Sequence, residues 1–454
     1  PDSSADYIIG DDGYALFTDT GLITEISTQA PELGGTDTID AGNGPDVILG
    51  GSERDYINTI SGENNSVTVG RIDTYRDVIL GDNGTAVFDV TSGESRLQSI
   101  FSTAYNLGGS DIIWSGNGSD IVIGGSGSDE ILTHSSGEHP DDASRDIVIG
   151  DNGKAEFDVS VPQLNEANDY VFVVTAITTL ADSIGADDYI FVGKGQDIVL
   201  GGAGADYVNY MPETSQPLNI ITNDIAIQRD QSRDIVIGDN GYVHFHPYVE
   251  GQSLDVVSEF STTSDHIGGN DFILTDGGAD IVLGGFGSDY ITAANPPLDD
   301  DKRDIVLGDN GYATFSTGEV IESFTSKSPA IGGNDQILVG GGNDIVIGGP
   351  GVDLINIGIP EDLLASLLEA ASIELSISDD LATLTVVTTG VNAESFTSQI
   401  DLSANSPYLL GNDSGADIVL GDNGVIDFHK GVEFTAESEV IHTITTIAPE
   451  TGTT

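Results

Sequence analysis

Aspartate is the residue type placed for chemistry in this chain, and its spacing is regular. In GGSDIIWSGNGSDIVIGGSGSDEIL, from Gly108 to Leu132, Asp111, Asp120 and Asp129 stand nine residues apart. The same interval joins Asp37, Asp46 and Asp55; Asp188, Asp197 and Asp206; Asp271, Asp280 and Asp289; and Asp335, Asp344 and Asp353. A second phrase also recurs: RDIVIGDNG at Arg145 and Arg233, RDVILGDNG at Arg76, RDIVLGDNG at Arg303, ADIVLGDNG at Ala416 and ADYIIGDDG at Ala5. With no cysteine in the chain and the histidines outside these turns, the donors are hard oxygens, which suit Ca²⁺ rather than zinc, copper or iron. Glycine turns free backbone carbonyls to complete a shell of about six to eight oxygens, which Ca²⁺ tolerates and Mg²⁺ does not.

The elements that carry these aspartates follow from the period. A nine-residue unit with a Gly-rich turn and a short apolar strand advances the chain half a coil of a parallel β-roll, so eighteen residues return it to the same side. Asp111 and Asp129 then stack one coil apart, near the ~4.8 Å spacing of paired strands. Two bare carboxylates at that distance repel by about 3 kcal/mol at an effective dielectric of about 20, so a ladder of them demands cations between the turns.

The strands themselves are unusual. Ile121, Val122 and Ile123 are all apolar, as are the equivalents at 147–149, 198–200, 235–237, 281–283, 305–307, 345–347 and 418–420. Unbroken apolar strands belong to sheets covered on both faces. The expected cover is a set of β-hairpins launched by each GD(N/D)G turn, because a Phe always follows four residues after its last Gly: Phe17, Phe88, Phe157, Phe245, Phe315 and Phe428. The alternation in GYALF and GYATF reads as a strand with that Phe facing a core.

GNGSDIVIG at Gly116, GGAGADYVN at Gly201, GGFGSDYIT at Gly284 and GGPGVDLIN at Gly348 resemble the GGxGxDxUx nonapeptide of the RTX (repeats-in-toxin, hemolysin-type) calcium-binding family, of the large secreted adhesin or surface-protein kind. The resemblance covers the triplets, roughly a third of the chain. It implies an all-β, right-handed parallel β-roll or β-solenoid, calcium held by Asp side chains and turn carbonyls, and secretion from a bacterium. The aspartates expected to contact metal are Asp37, Asp46, Asp55, Asp111, Asp120, Asp129, Asp188, Asp197, Asp206, Asp271, Asp280, Asp289, Asp335, Asp344 and Asp353 of the triplets. To these are added Asp77, Asp146, Asp234, Asp304 and Asp417 before the strands of the recurring phrase, and Asp11, Asp82, Asp151, Asp239, Asp309 and Asp422 in its turn.

The sequence departs from the family pattern at several turns. GKGQD at Gly193 puts Lys194 and Gln196 into a turn, and GSERD at Gly51 lacks the second turn glycine, which weakens the expected sites around Asp197 and Asp55. In GDNG an Asp replaces the second family glycine, and two readings stand: a carboxylate given to calcium from a shifted place, or an Asx-turn that bonds only its own backbone.

Composition narrows the partners. With 75 Asp plus Glu against 13 Lys plus Arg and a formal net charge of -62, nucleic acid is excluded. The 59 Gly make ordering costly, and without cysteine no disulfide offsets that cost. No uninterrupted apolar run is long enough to insert in a membrane.

The modules expected are 1–75, 76–144, 145–232 with an insertion from Asp169, 233–302, 303–415 and a partial sixth at 416–454, stacked as one elongated solenoid of about thirteen coils. The fifth carries an insertion at 354–416, with a short helix near 360–370 and a hairpin around Asp379 and Asp380. A chain opening at Pro1 is expected to be a piece of something longer.

No HExxH or GxSxG is present, so the expectation is a non-enzymatic, extracellular structural segment that self-associates into a fibre or continues a longer array. The alternatives are an adhesin that binds a surface or glycan ligand through the 354–416 insertion, and an accessory roll of a secreted hydrolase. His244 and His246 in HFH could bind a metal or simply face solvent, and Arg76, Arg145, Arg233 and Arg303 are expected to pair with carboxylates of neighbouring coils.

Overall fold

Each apolar run behind a ladder aspartate forms a short parallel strand. In the computed structural model, which describes residues 4–61, 67–69, 74–133, 143–160, 173–210, 231–249, 255–293, 302–318, 320–356, 370–377, 383–390, 395–401, 418–420, 424–428 and 441–446, these strands collect into two parallel sheets. A central sheet takes eleven strands in chain order, from Tyr7–Ile9 to Ile418–Leu420, and a far sheet takes ten, from Thr38–Ile39 to Leu354–Ile355. Register is residue for residue: Ile121, Val122 and Ile123 face Ile147, Val148 and Ile149. Among the described residues the central sheet has eleven strands, against about thirteen coils expected.

The third sheet is antiparallel and twelve-stranded, built from six hairpins that begin with Gly13–Phe17 and Ile23–Thr28. Each hairpin starts at a GD(N/D)G turn, and its second strand pairs with the first strand of the next, as in Ile100 with Ala155 and Ile177 with Val243. A hydroxyl secures these joints. The N–H of Gly84 donates to Thr28 Oγ1 at 3.1 Å, that of Gly153 to Ser102 Oγ at 3.0 Å, and that of Gly241 to Thr179 Oγ1 at 3.1 Å.

This layering explains the three apolar residues in a row. Middle residues such as Val122, Val148 and Val199 point into the roll and meet Ile113, Ile131 and Ile190 of the far sheet. Their neighbours, such as Ile121 and Ile123, point the other way and pack under Phe88, Phe157 and Ile177 of the hairpins. All six hairpins lie on the central sheet's side. The far sheet's outer face instead carries aromatic side chains, with Tyr189 stacked on Tyr207 at 4.7 Å and Tyr207 on Phe272 at 5.1 Å.

The 354–416 insertion forms a separate three-stranded antiparallel sheet, Ala370–Ile377, Thr383–Gly390 and Ser395–Asp401, of which the first two strands are the expected hairpin. The helix expected near 360–370 lies outside the described residues. Part of the third module's insertion, Val174–Thr179, is the second strand of that module's hairpin. Among the described residues no helix is long and apolar enough to cross a membrane.

Phe157 is 5% exposed, whereas Phe17, on the edge strand of the hairpin sheet, is 61% exposed. Phe157→Ala therefore destabilises the hairpin layer by about 3–5 kcal/mol, seen as faster amide exchange through Gly153–Thr179. Phe17→Ala stays within about 0.5 kcal/mol, because little is buried there to lose.

Candidate metal centre

The aspartates form two columns, one before each parallel sheet. Before the central sheet stand Asp6, Asp46, Asp77, Asp120, Asp146, Asp197, Asp234, Asp280, Asp304 and Asp344; each backbone N–H donates to Oδ1 of the next, at 2.8–3.0 Å. Before the far sheet stand Asp37, Asp55, Asp111, Asp129, Asp188, Asp206, Asp271, Asp289, Asp335 and Asp353, linked in the same way at 2.7–3.1 Å. As the half-coil advance of nine residues implies, the outer two aspartates of each triplet fall in one column and the middle one in the other. Asp6 was not expected here, although the match of ADYIIGDDG to RDIVIGDNG carries its signal. Asp417 and Asp422 lie outside the described residues.

One carboxylate oxygen per rung thus serves the backbone. In the far-sheet column the other one, Oδ2 of Asp37, Asp55, Asp111, Asp129, Asp188, Asp206, Asp271, Asp289 and Asp335, is buried without a hydrogen-bond donor. These oxygens face glycine. A Cβ on Gly81 would collide with Asp111 Oδ2 and the Gly124 carbonyl oxygen, one on Gly150 with Asp188 Oδ2 and the Gly201 carbonyl, and one on Gly238 with Asp271 Oδ2 and the Gly284 carbonyl. Side by side along the edge therefore run a row of carboxylate oxygens and a row of carbonyl oxygens, kept open by residues that have no side chain. Among the described residues no three acidic or histidine side chains form a metal-binding group by themselves, so the carbonyls must supply the remaining oxygens. The donor set fits Ca²⁺.

The electrostatics show what the column lacks. Burial pushes the carboxyls of Asp111, Asp129, Asp188, Asp271 and Asp335 well above the usual carboxylate range, and neighbouring carboxylates add to it: Asp82 for Asp111, Asp111 for Asp129, Asp129 for Asp188, Asp239 for Asp271 and Asp289 for Asp335. Burial likewise raises Asp55, Asp206 and Asp289 to about 8. Without a cation, the fold stabilises the uncharged acids.

The GDNG turn is not the self-bonded Asx-turn weighed for it. Its aspartate does not bond its own backbone but reaches across coils: Asp82 accepts the N–H of Gly109 at 2.8 Å on one oxygen and that of Ser126 on the other. Asp11 takes Gly35 and Ser52 in the same manner, Asp151 takes Ala186 and Ala203, and Asp239 takes Gly269 and Phe286. The following Asn donates instead, Asn152 Nδ2 to the carbonyls of Tyr105 and Ile184, and Asn240 Nδ2 to that of Asp182. These partners lie tens of residues away, so the turn's own sequence gave no sign of them.

Other expected residues settle elsewhere. Arg76 pairs with Asp255, a hairpin residue, at 2.7 Å, and Arg145 donates to the Asp255 carbonyl. Arg233 and Arg303 reach the carbonyls of Ala279 and Asn343 on neighbouring coils. His244 Nδ1 lies 2.9 Å from Glu259 Oε1 and His246 Nε2 lies 3.1 Å from the Phe315 carbonyl, so the two rings have separate partners. At the irregular turn, Glu53 adopts a positive φ of 66° where other copies have glycine, and beside it the charge of Arg54 offsets a small part of the rise that burial and Asp82 impose on Asp111.

The turns match the family model of the RTX calcium-binding nonapeptide repeat (4 copies) over residues 33–64, 107–131, 184–210, 268–293 and 331–358. These are RTX repeats. Each matched segment of the RTX array holds one triplet, and the GD(N/D)G phrases fall outside the matches. Proteins with RTX repeats are typically secreted or extracellular. No curated protein matches the chain.

The raised carboxyls set a direction with pH. Their value in the unfolded chain is near the ordinary 3.8, and in the metal-free fold about 8 for Asp55, Asp206 and Asp289, so the folded chain holds more protons between those limits. Stability of the calcium-free protein therefore falls as pH rises from about 4 toward 8. With calcium the trend reverses, because the ligands must lose their protons to bind. Thermal melts in EGTA and in millimolar calcium, at pH 5 and pH 8, are expected to show opposite slopes.

Proposed function

We propose that this chain is a calcium-binding, non-catalytic structural segment of a secreted bacterial surface protein or extracellular fibre, and that many calcium ions stiffen it. The observation that carries the reading is the row of buried, donor-less Oδ2 atoms in the far-sheet column, aligned with glycine carbonyls. Asp37, Asp55, Asp111, Asp129, Asp188, Asp206, Asp271, Asp289, Asp335 and Asp353 hold ions on that edge. Asp46, Asp77, Asp120, Asp146, Asp197, Asp234, Asp280, Asp304 and Asp344 hold them on the other. The ions relieve the repulsion, and because they bind the folded form they couple folding to the calcium concentration outside the cell.

Self-association into a fibre, or continuation of a longer array, belongs to the same proposal. The joint between hairpins repeats the same three-residue pairing at every module boundary, so a further module of either origin can add by the same joint.

Circular dichroism tests the central claim: β signal is lost in EGTA and returns in millimolar calcium, and an unchanged spectrum in EGTA would end it. Gly238→Ala, which puts a methyl between Asp271 and the Gly284 carbonyl, is expected to lower the number of ions bound, counted by native mass spectrometry. Negative-stain images with and without chelator test for filaments.

A further inference from the structure

The GDNG aspartates are not all alike. In Asp11, Asp82, Asp151 and Asp239, one oxygen accepts the N–H that follows the glycine pair of a nonapeptide turn: Ser52, Ser126, Ala203 and Phe286 respectively. In the fifth module that place is taken by Pro350, in GGPG, and proline has no N–H. Asp309 still accepts the Gly333 N–H at 2.8 Å on Oδ1. Its Oδ2 is left without a donor, on a side chain that is completely buried.

The surroundings point to what this oxygen meets. It lies against Gly349, next in the chain to Gly348, whose carbonyl sits with Oδ2 of Asp335 beside Gly308. Asp335 Oδ2 is likewise buried and without a donor. Two donor-less carboxylate oxygens and one carbonyl oxygen thus adjoin the short segments 308–309 and 348–349, whereas at the equivalent place in the first four modules the turn oxygen is occupied by an N–H.

We propose that Asp309 is an additional ligand of the calcium ion at Asp335, released for that task by Pro350, whereas Asp11, Asp82, Asp151 and Asp239 act as metal-free clamps that dock the hairpin layer onto two coils of the roll. This rests on the calcium reading above. Affinity for calcium rises with the number of charged ligands. The ion at this rung is therefore the last to leave, and the stretch from Ile305 to Asp353 is the part that folds at the lowest calcium.

Stepwise removal of calcium with EGTA, followed by native mass spectrometry of the full chain, tests this. The wild type is expected to keep one ion to a free calcium about tenfold lower than the rest. Pro350→Ala returns the missing N–H without touching a ligand, and should shed that ion together with the others. Asp309→Asn should do the same, and Asp151→Asn should keep the late ion. If Asp309→Asn fails to fold, Pro350→Ala decides alone. The proposal is overturned if the wild type has no late ion, if Pro350→Ala retains it, or if Asp151→Asn loses it. Absence of any bound ion in saturating calcium would instead defeat the calcium reading itself.

Discussion

Everything in this fold is arranged around a carboxylate that must be buried. Each ladder aspartate gives Oδ1 to the backbone of the adjoining coil, and that hydrogen bond holds the coils in register. In the far-sheet column the same bond draws a second oxygen, left without a donor, into the protein at each step from Asp37 to Asp335. Burying such a group costs several kcal/mol unless it is paired, so the stacking of coils and the demand for a cation are one interaction seen from two sides. The glycines leave space beside that oxygen, and the apolar strands close it to water.

Much of this was legible in the sequence, and for a definite reason. A strict nine-residue interval between aspartates can be kept only by a regular coil, so Asp111, Asp120 and Asp129 reveal the roll directly. Ile121 and Ile123 flanking Val122 announced a second apolar face, and the recurrent Phe located the layer that covers it. The central sheet serves two cores at once, which only a run of three apolar residues can do.

What stayed hidden is what depends on chain segments far apart in sequence. The N–H groups that Asp82 accepts belong to residues 27 and 44 positions away, and no local pattern reports them. The partner of Arg76 and the placement of the six described hairpins on one side likewise follow from how the coils stack. Asp6 was missed although ADYIIGDDG puts it where Asp146 stands in RDIVIGDNG. Pro350 was visible from the start within GGPG, but its meaning required knowing that an N–H is used there by every other described copy.

The joint between hairpins has a mechanical consequence. Strands of all three sheets run across the stacking direction, so tension along the stack loads their hydrogen bonds one after another rather than together. Within the second module's hairpin six residue pairs share the load, from Gly84 with Ser102 to Asp89 with Arg96, whereas its joint to the first module has three. A pulled array would therefore part at module boundaries, extending in discrete steps of whole modules and dissipating work at each, so that its length under load becomes a count of open joints.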